Sequence, residues 1–280
     1  LDEPQPFREL HVGGRFDGAT GTWRLEPARL ALGDAAQPGP TLFAAADIDL
    51  GGDTPGIDAE VGIDDVDVAA LPGLWPAGVE EASRNWIANH VGAGRIDELR
   101  SQFRIAWSRE LEATPHVAGL TASFRFDDLR VRWSDKAPAV TALRGTASFA
   151  EHALRFEVER GRVGAVELDG GTVDLLDLDR KPGRIEINVT GAGPLGETLE
   201  AVLLRPPDFV HLHDAAGEPT PAFVEFRGRV AFAIQKKKVN FSHLTLAVDA
   251  KVRGARIESD LVTGLAGGKL RFDSDGKEKV

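Results

Sequence analysis

Apolar and non-apolar positions change places almost residue by residue over long stretches of this 280-residue chain. From Val224 to Ile234 it reads V-E-F-R-G-R-V-A-F-A-I. A period of two is that of a β-strand with one apolar and one solvated face. Similar runs predict strands at Leu42–Leu50, Ile57–Val68, Ser101–Trp107, Leu120–Trp133, Thr146–Val158, Val163–Leu168, Thr172–Leu178, Arg184–Val189, Phe223–Ile234, Val239–Val252 and Lys269–Asp273. Turn formers such as Gly51-Gly52, Lys181-Pro182-Gly183 and Gly267-Gly268 separate them. Connections this short predict an antiparallel meander rather than βαβ units. In Leu120–Trp133, Phe124 and Phe126 share a face, and the register slips by one across Asp127-Asp128. A β-bulge or a tight turn there accounts for the slip.

Only two stretches have helical spacing. Val79–Val91 carries Glu80 and Glu81 in its first turn, an apolar stripe of Val79, Ala82, Trp86 and Ile87, and Gly92 after its end. Leu195–Leu204 groups Leu199, Val202 and Leu203 and is stopped by Pro206-Pro207. Two short helices cannot cover the apolar faces of so many strands. The expected fold is therefore mainly β: a curled antiparallel sheet forming an apolar groove, flanked by two short helices. The expected organisation is one segment, residues 1–280, with a subdivision in the loop 206–221. The residues expected to line the groove are Phe124, Phe126, Val224, Phe226, Val230, Phe232, Ile234, Leu244, Leu246 and Val248. The alternative is that the same faces close on each other as a β-sandwich core.

Composition narrows the function. Net charge is −11, and residues 1–100 carry all of it, with 18 acids against 7 bases. An acidic first third argues against nucleic acid and against direct docking on anionic headgroups. There is no cysteine, which excludes disulfides, cysteine–zinc clusters and thiol nucleophiles. No apolar run is long enough to cross a membrane as a helix, and no signal peptide opens the chain. The missing initiator Met suggests a segment of a longer protein, with any anchor outside it.

Candidate chemistry is sparse. His211-Leu212-His213 puts two imidazoles on one face, but a metal centre needs a third ligand. Asp47-x-Asp49-x-Gly51-Gly52-Asp53 resembles the start of a calcium loop, with Gly51 in place of an acid or amide and Asp58 where a closing Glu belongs. The acid pairs Asp64-Asp65, Glu80-Glu81 and Asp127-Asp128 are adjacent in sequence, so on a strand they point to opposite faces and make no hydrolytic dyad. No nucleophile elbow, zinc-protease motif or phosphate loop occurs. Lys236-Lys237-Lys238 suits a solvated hairpin turn. These readings predict neither an enzyme nor a cofactor.

Leu71–Ile96, with its Leu71-Pro72, Trp75-Pro76, Arg84, Trp86 and Gly94-Arg95-Ile96, resembles the AsmA-like proteins, in particular the YhdP-type branch. So do Val131-Arg132-Trp133 with Leu143-Arg144-Gly145, Gly161-Arg162-Val163-Gly164, Gly193-Pro194-Leu195 running to Arg205-Pro206-Pro207, and Gly264 to Phe272. The chain departs from that pattern at Trp133, where Tyr is expected, and at the lysine run, where a Pro-Leu pair is expected. The resemblance implies a periplasmic segment of a protein anchored in the inner membrane of Gram-negative bacteria. It implies phospholipids as partners, with acyl chains in a β-groove, and membrane proteins at either end of the full-length chain. It carries no catalytic residue. The second functional expectation is a structural or protein-interaction module of the envelope with a closed core. The third is a carbohydrate-active enzyme.

Overall fold

A computed structural model describes residues 7–34, 36, 38–51, 55–74, 81–106, 116–132, 138–150, 152–178, 180, 183–203, 211–213, 223–235, 238–259 and 262–274. The protein is mainly β. Its strands are β1 Phe7–Asp17, β2 Thr22–Gly33, β3 Pro38–Asp49, β4 Gly56–Asp64, the two-residue β5 Val66–Asp67, β6 Val91–Ala106, β7 His116–Val131 and β8 Val140–Ala150. There follow β9 Ala153–Val163, β10 Val166–Leu176, β11 Gly183–Pro194, β12 His211–His213, β13 Phe223–Gln235, β14 Lys238–Ser259 and β15 Val262–Ser274. The helices are α1 Leu71–Leu74, α2 Glu81–His90 and α3 Leu195–Leu203, with a 3₁₀ turn at Val68–Ala70.

The backbone divides into two compact units, Leu1–Asp127 with Thr146–Glu151, and Asp128–Gly145 with His152–Val280. The split falls within β7 and β8, while residues 206–210 and 214–221 of the loop proposed as a boundary lie outside the described residues.

The first unit is an antiparallel meander in the order β1-β2-β3-β4-β6-β7. Its helical elements connect β4 to β6. Asp67 caps the 3₁₀ turn by accepting a hydrogen bond from the Ala69 N–H at 2.8 Å. Val66, Val68, Leu71 and Ile96 are buried beside it. The Arg84 guanidinium donates to the Pro72 carbonyl at 3.0 Å and ties α2 to α1.

The second unit runs β9-β10-β11-β13-β14, with β12 and β15 both paired to β14. Helix α3 connects β11 to β12 and packs on β11 and β13.

Most predicted strands are present with longer ends. The run Thr146–Val158 is instead the β8–β9 hairpin, turned at His152, whose φ is +66°. Alternation continues through that turn, so period alone does not reveal it. The expected slip in β7 is a bulge: Asp128 has φ +52°, and Phe126 and Leu129 are both buried on either side of it. Strands β1, β2 and β12 were not expected. Gly13-Gly14 and the register shift between His11 and Gly13 interrupt the β1–β2 pattern.

Candidate functional site

Residues paired across antiparallel strands share a face, so the registers sort each sheet into two surfaces. In the first unit one surface carries the rows Phe16–Trp23–Ile48–Ile57–Ile105, Gly14–Leu25–Ala46–Ala59–Phe103 and Leu10–Leu30–Leu42–Ile63–Leu99. All three are apolar or glycine from end to end. The other surface carries Arg15–Arg24–Asp47–Asp58–Arg104 and His11–Arg29–Phe43–Gly62–Arg100.

The charged surface is held by ion pairs, with Arg24 to Asp47 at 2.7 Å, Arg100 to Asp64 at 2.7 Å and Arg104 to Asp58 at 3.6 Å. The hydrogen bond and charge of Asp47 hold the Arg24 guanidinium above its ordinary value. Arg100 also lies 4.4 Å over the Phe43 ring, and that ring fills the place a side chain at Gly62 would take. Asp47 and Asp58, the first and last acids of the run that resembles a calcium loop, are the cross-strand partners of arginines. Among the described residues no group of three acidic or histidine side chains is placed to hold a metal.

On the apolar surface Leu10, Phe16 and Trp23 stay about half exposed, and the Phe16 and Trp23 rings stack at 4.8 Å. A shallow concavity of about 570 Å³ follows the row Leu25–Ala46–Ala59–Phe103 and reaches Leu120, and the neighbouring Arg24, Asp47, Asp58, Glu60 and Arg104 also border it. Its depth comes from the two alanines, whose short side chains leave a hollow between Leu25 and Phe103. Its volume lies in the range of about 300–1,000 Å³ usual for small-molecule sites.

The second unit repeats the two-surface plan. Its apolar rows are Phe156–Val173–Ile187–Val230–Leu246, Leu154–Leu175–Ile185–Phe232, Val158–Gly171–Val189–Gly228–Val248 and Gly161–Leu168–Gly191–Phe226–Ala250. A fifth position adds Val224 paired with Val252. The opposite surface carries Arg155 facing Asp174 at 3.6 Å, Arg162 facing Glu167 at 3.1 Å, and Arg229 donating to Asn188 at 3.1 Å.

Helix α3 lies at one end of the apolar surface. Leu195 joins Val166, Val224, Phe226 and Val252 in a buried cluster. Beyond it, Phe156, Val173, Ile187 and Val230 are only partly buried. Among the described residues no other helix packs on this face.

The residues expected from sequence divide into three groups. Val224 and Phe226 are sealed in the α3 cluster, and Phe126, Phe232 and Leu246 are buried by their neighbours. Phe124, Val230 and Val248 are partly accessible. Ile234 and Leu244 lie on β13 and β14, with side chains outside the described set, as are those of His211 and His213 on β12. Lys236 and Lys237 lie outside the described residues. Sequence reasoning missed the Leu25–Ala46–Ala59–Phe103 hollow. The signal was there, in the alternating Ala44 and Ala46 of β3, but alanine does not mark a binding wall.

Comparison with protein-family models, curated proteins and solved structures returned no match.

Proposed function

We propose that this chain binds the acyl chains of phospholipids along its apolar sheet faces and lets them pass passively, as part of a lipid-transfer path across the periplasm. The observation that carries the proposal is the pair of continuous apolar faces, one with an alanine-floored hollow, neither with a helical layer over its length among the described residues. Moving hydrocarbon from water onto such a face is worth about 0.8 kcal/mol per methylene. A smooth aliphatic wall holds every methylene about equally, so sliding by one costs little. The opposite faces are solvated arrangements of ion pairs, which suits a sheet with one wet side. The YhdP-like motifs support the same reading, with an inner-membrane anchor and membrane-protein partners supplied outside this segment.

Native mass spectrometry of the chain purified from a Gram-negative host tests this. Co-purifying phospholipid that detergent strips in proportion to its tail length is the expected result. A protein that carries no lipid, and takes up none from vesicles, refutes it in favour of an envelope interaction module.

A further inference from the structure

Helix α3 is held by one buried anchor and one exposed tie, and it carries a buried polar group that weakens its docking. Leu195 is its buried anchor, 5% exposed, inserted against Val166, Val224, Phe226 and Val252. Its second tie is exposed: the Glu197 carboxylate accepts a hydrogen bond from the Ala165 N–H at 2.9 Å, in the turn after β9. Next to Glu197, Thr198 is also 5% exposed, and its hydroxyl has no hydrogen-bond partner among the described residues. A buried hydroxyl left unpaired disfavours the docked state, because it forfeits the water it would bind if the helix lifted.

We propose that α3 is a displaceable lid on the apolar face of the second unit, opened by the hydrocarbon that the face binds. This rests on the acyl-chain reading above. Leu195 covers Val224, Phe226 and Val252, which lie on the same surface as the partly open Val230 and Val248 and are reached by the same strands. An acyl chain lying along β13 and β14 therefore runs into Leu195. Replacing the Leu195 side chain by methylenes of the lipid exchanges one aliphatic contact for another and costs little. Rehydration of the Thr198 hydroxyl then favours the open form. The lid thus separates an empty, sealed end of the face from a loaded, continuous one.

The test uses the whole chain and two variants with opposite expected effects. Thr198→Val removes the hydroxyl while keeping the shape, so amide hydrogen exchange over Leu195–Leu203 should slow by about fivefold or more. Leu195→Ala should speed it by about tenfold or more. Each protein is then incubated with vesicles containing a phospholipid bearing a photoactivatable acyl chain. Labelling of β13 and β14 should fall in Thr198→Val and rise in Leu195→Ala.

Unchanged or faster exchange in Thr198→Val overturns the lid. So does equal labelling of both variants at the level of the unaltered protein. Absence of labelling in all three proteins overturns the acyl-chain reading instead, and the exchange rates still judge the helix.

Discussion

Filling the alanine hollow of the first unit should weaken lipid binding without weakening the fold. Ala46 sits in the middle of the row between Leu25 and Ala59, on the floor of the concavity of about 570 Å³. Ala46→Trp stands an indole in that space. One side chain obstructs about one strand spacing, about 4.8 Å, and displaces on the order of four methylenes at about 0.8 kcal/mol each. The loss is about 3 kcal/mol, or roughly a hundredfold in dissociation constant. Among the described residues no layer packs above Ala46, so the indole has room and stability should stay within about 1 kcal/mol. The control lies on the opposite surface of the same strand. Thr41 pairs with Asp64 there and does not line the concavity, so Thr41→Trp should leave affinity unchanged. Fluorescence titration with a labelled phospholipid, beside urea denaturation of each variant, reads both quantities. Equal affinity for Ala46→Trp and the unaltered protein, with both folded, refutes the claim that hydrocarbon lies in this hollow. Equal loss in Thr41→Trp refutes the assignment of faces.

Three further outcomes are expected. Gly191→Ala places a methyl 2.4 Å from the Glu167 carbonyl oxygen and 3.1 Å from the Phe226 ring, so urea denaturation should show a loss of about 1–3 kcal/mol. Phe232→Asp puts a carboxylate at a site only 8% exposed, and the second unit should lose its cooperative melting transition in thermal denaturation, whereas Val230→Asp, on a partly open position, should fold and bind less lipid. Glu9 has its carboxyl held below the ordinary value first by a hydrogen bond from His11 at 2.6 Å and then by the charge of that ring. A depressed carboxyl stabilises above its unfolded value, and the effect disappears as pH falls through the lower folded value. His11→Ala should therefore return the Glu9 titration, followed by NMR, to the usual carboxylate range.

Alternation of side chains determined a good deal without any coordinates. A period of two assigns Val224, Phe226, Val230 and Phe232 to one face and Glu225, Arg227 and Arg229 to the other, because successive strand residues point to opposite sides whatever the partner strand is. The slip at Asp127-Asp128 is equally local: adding one residue to a strand reverses the face, and Asp128 in a left-handed conformation restores it. Helix α3 was legible from its spacing and the prolines that follow it, and the structure ends it within one residue of the expected position.

What alternation lacks is any record of distance across the sheet. The β8–β9 hairpin at His152 reads as one strand because alternation survives the turn. Which face residues are sealed and which stay open depends on neighbours remote in sequence. Leu195 closes over Val224 and Val252, while Ile187 and Val230, equally apolar, are left partly open. The hollow at Ala46 and Ala59 exists only because register sets two small residues side by side between larger ones. Strand pairing is a long-range choice, and it alone converted a list of apolar positions into two surfaces, one with a floor between larger side chains and the other with a helix at its end.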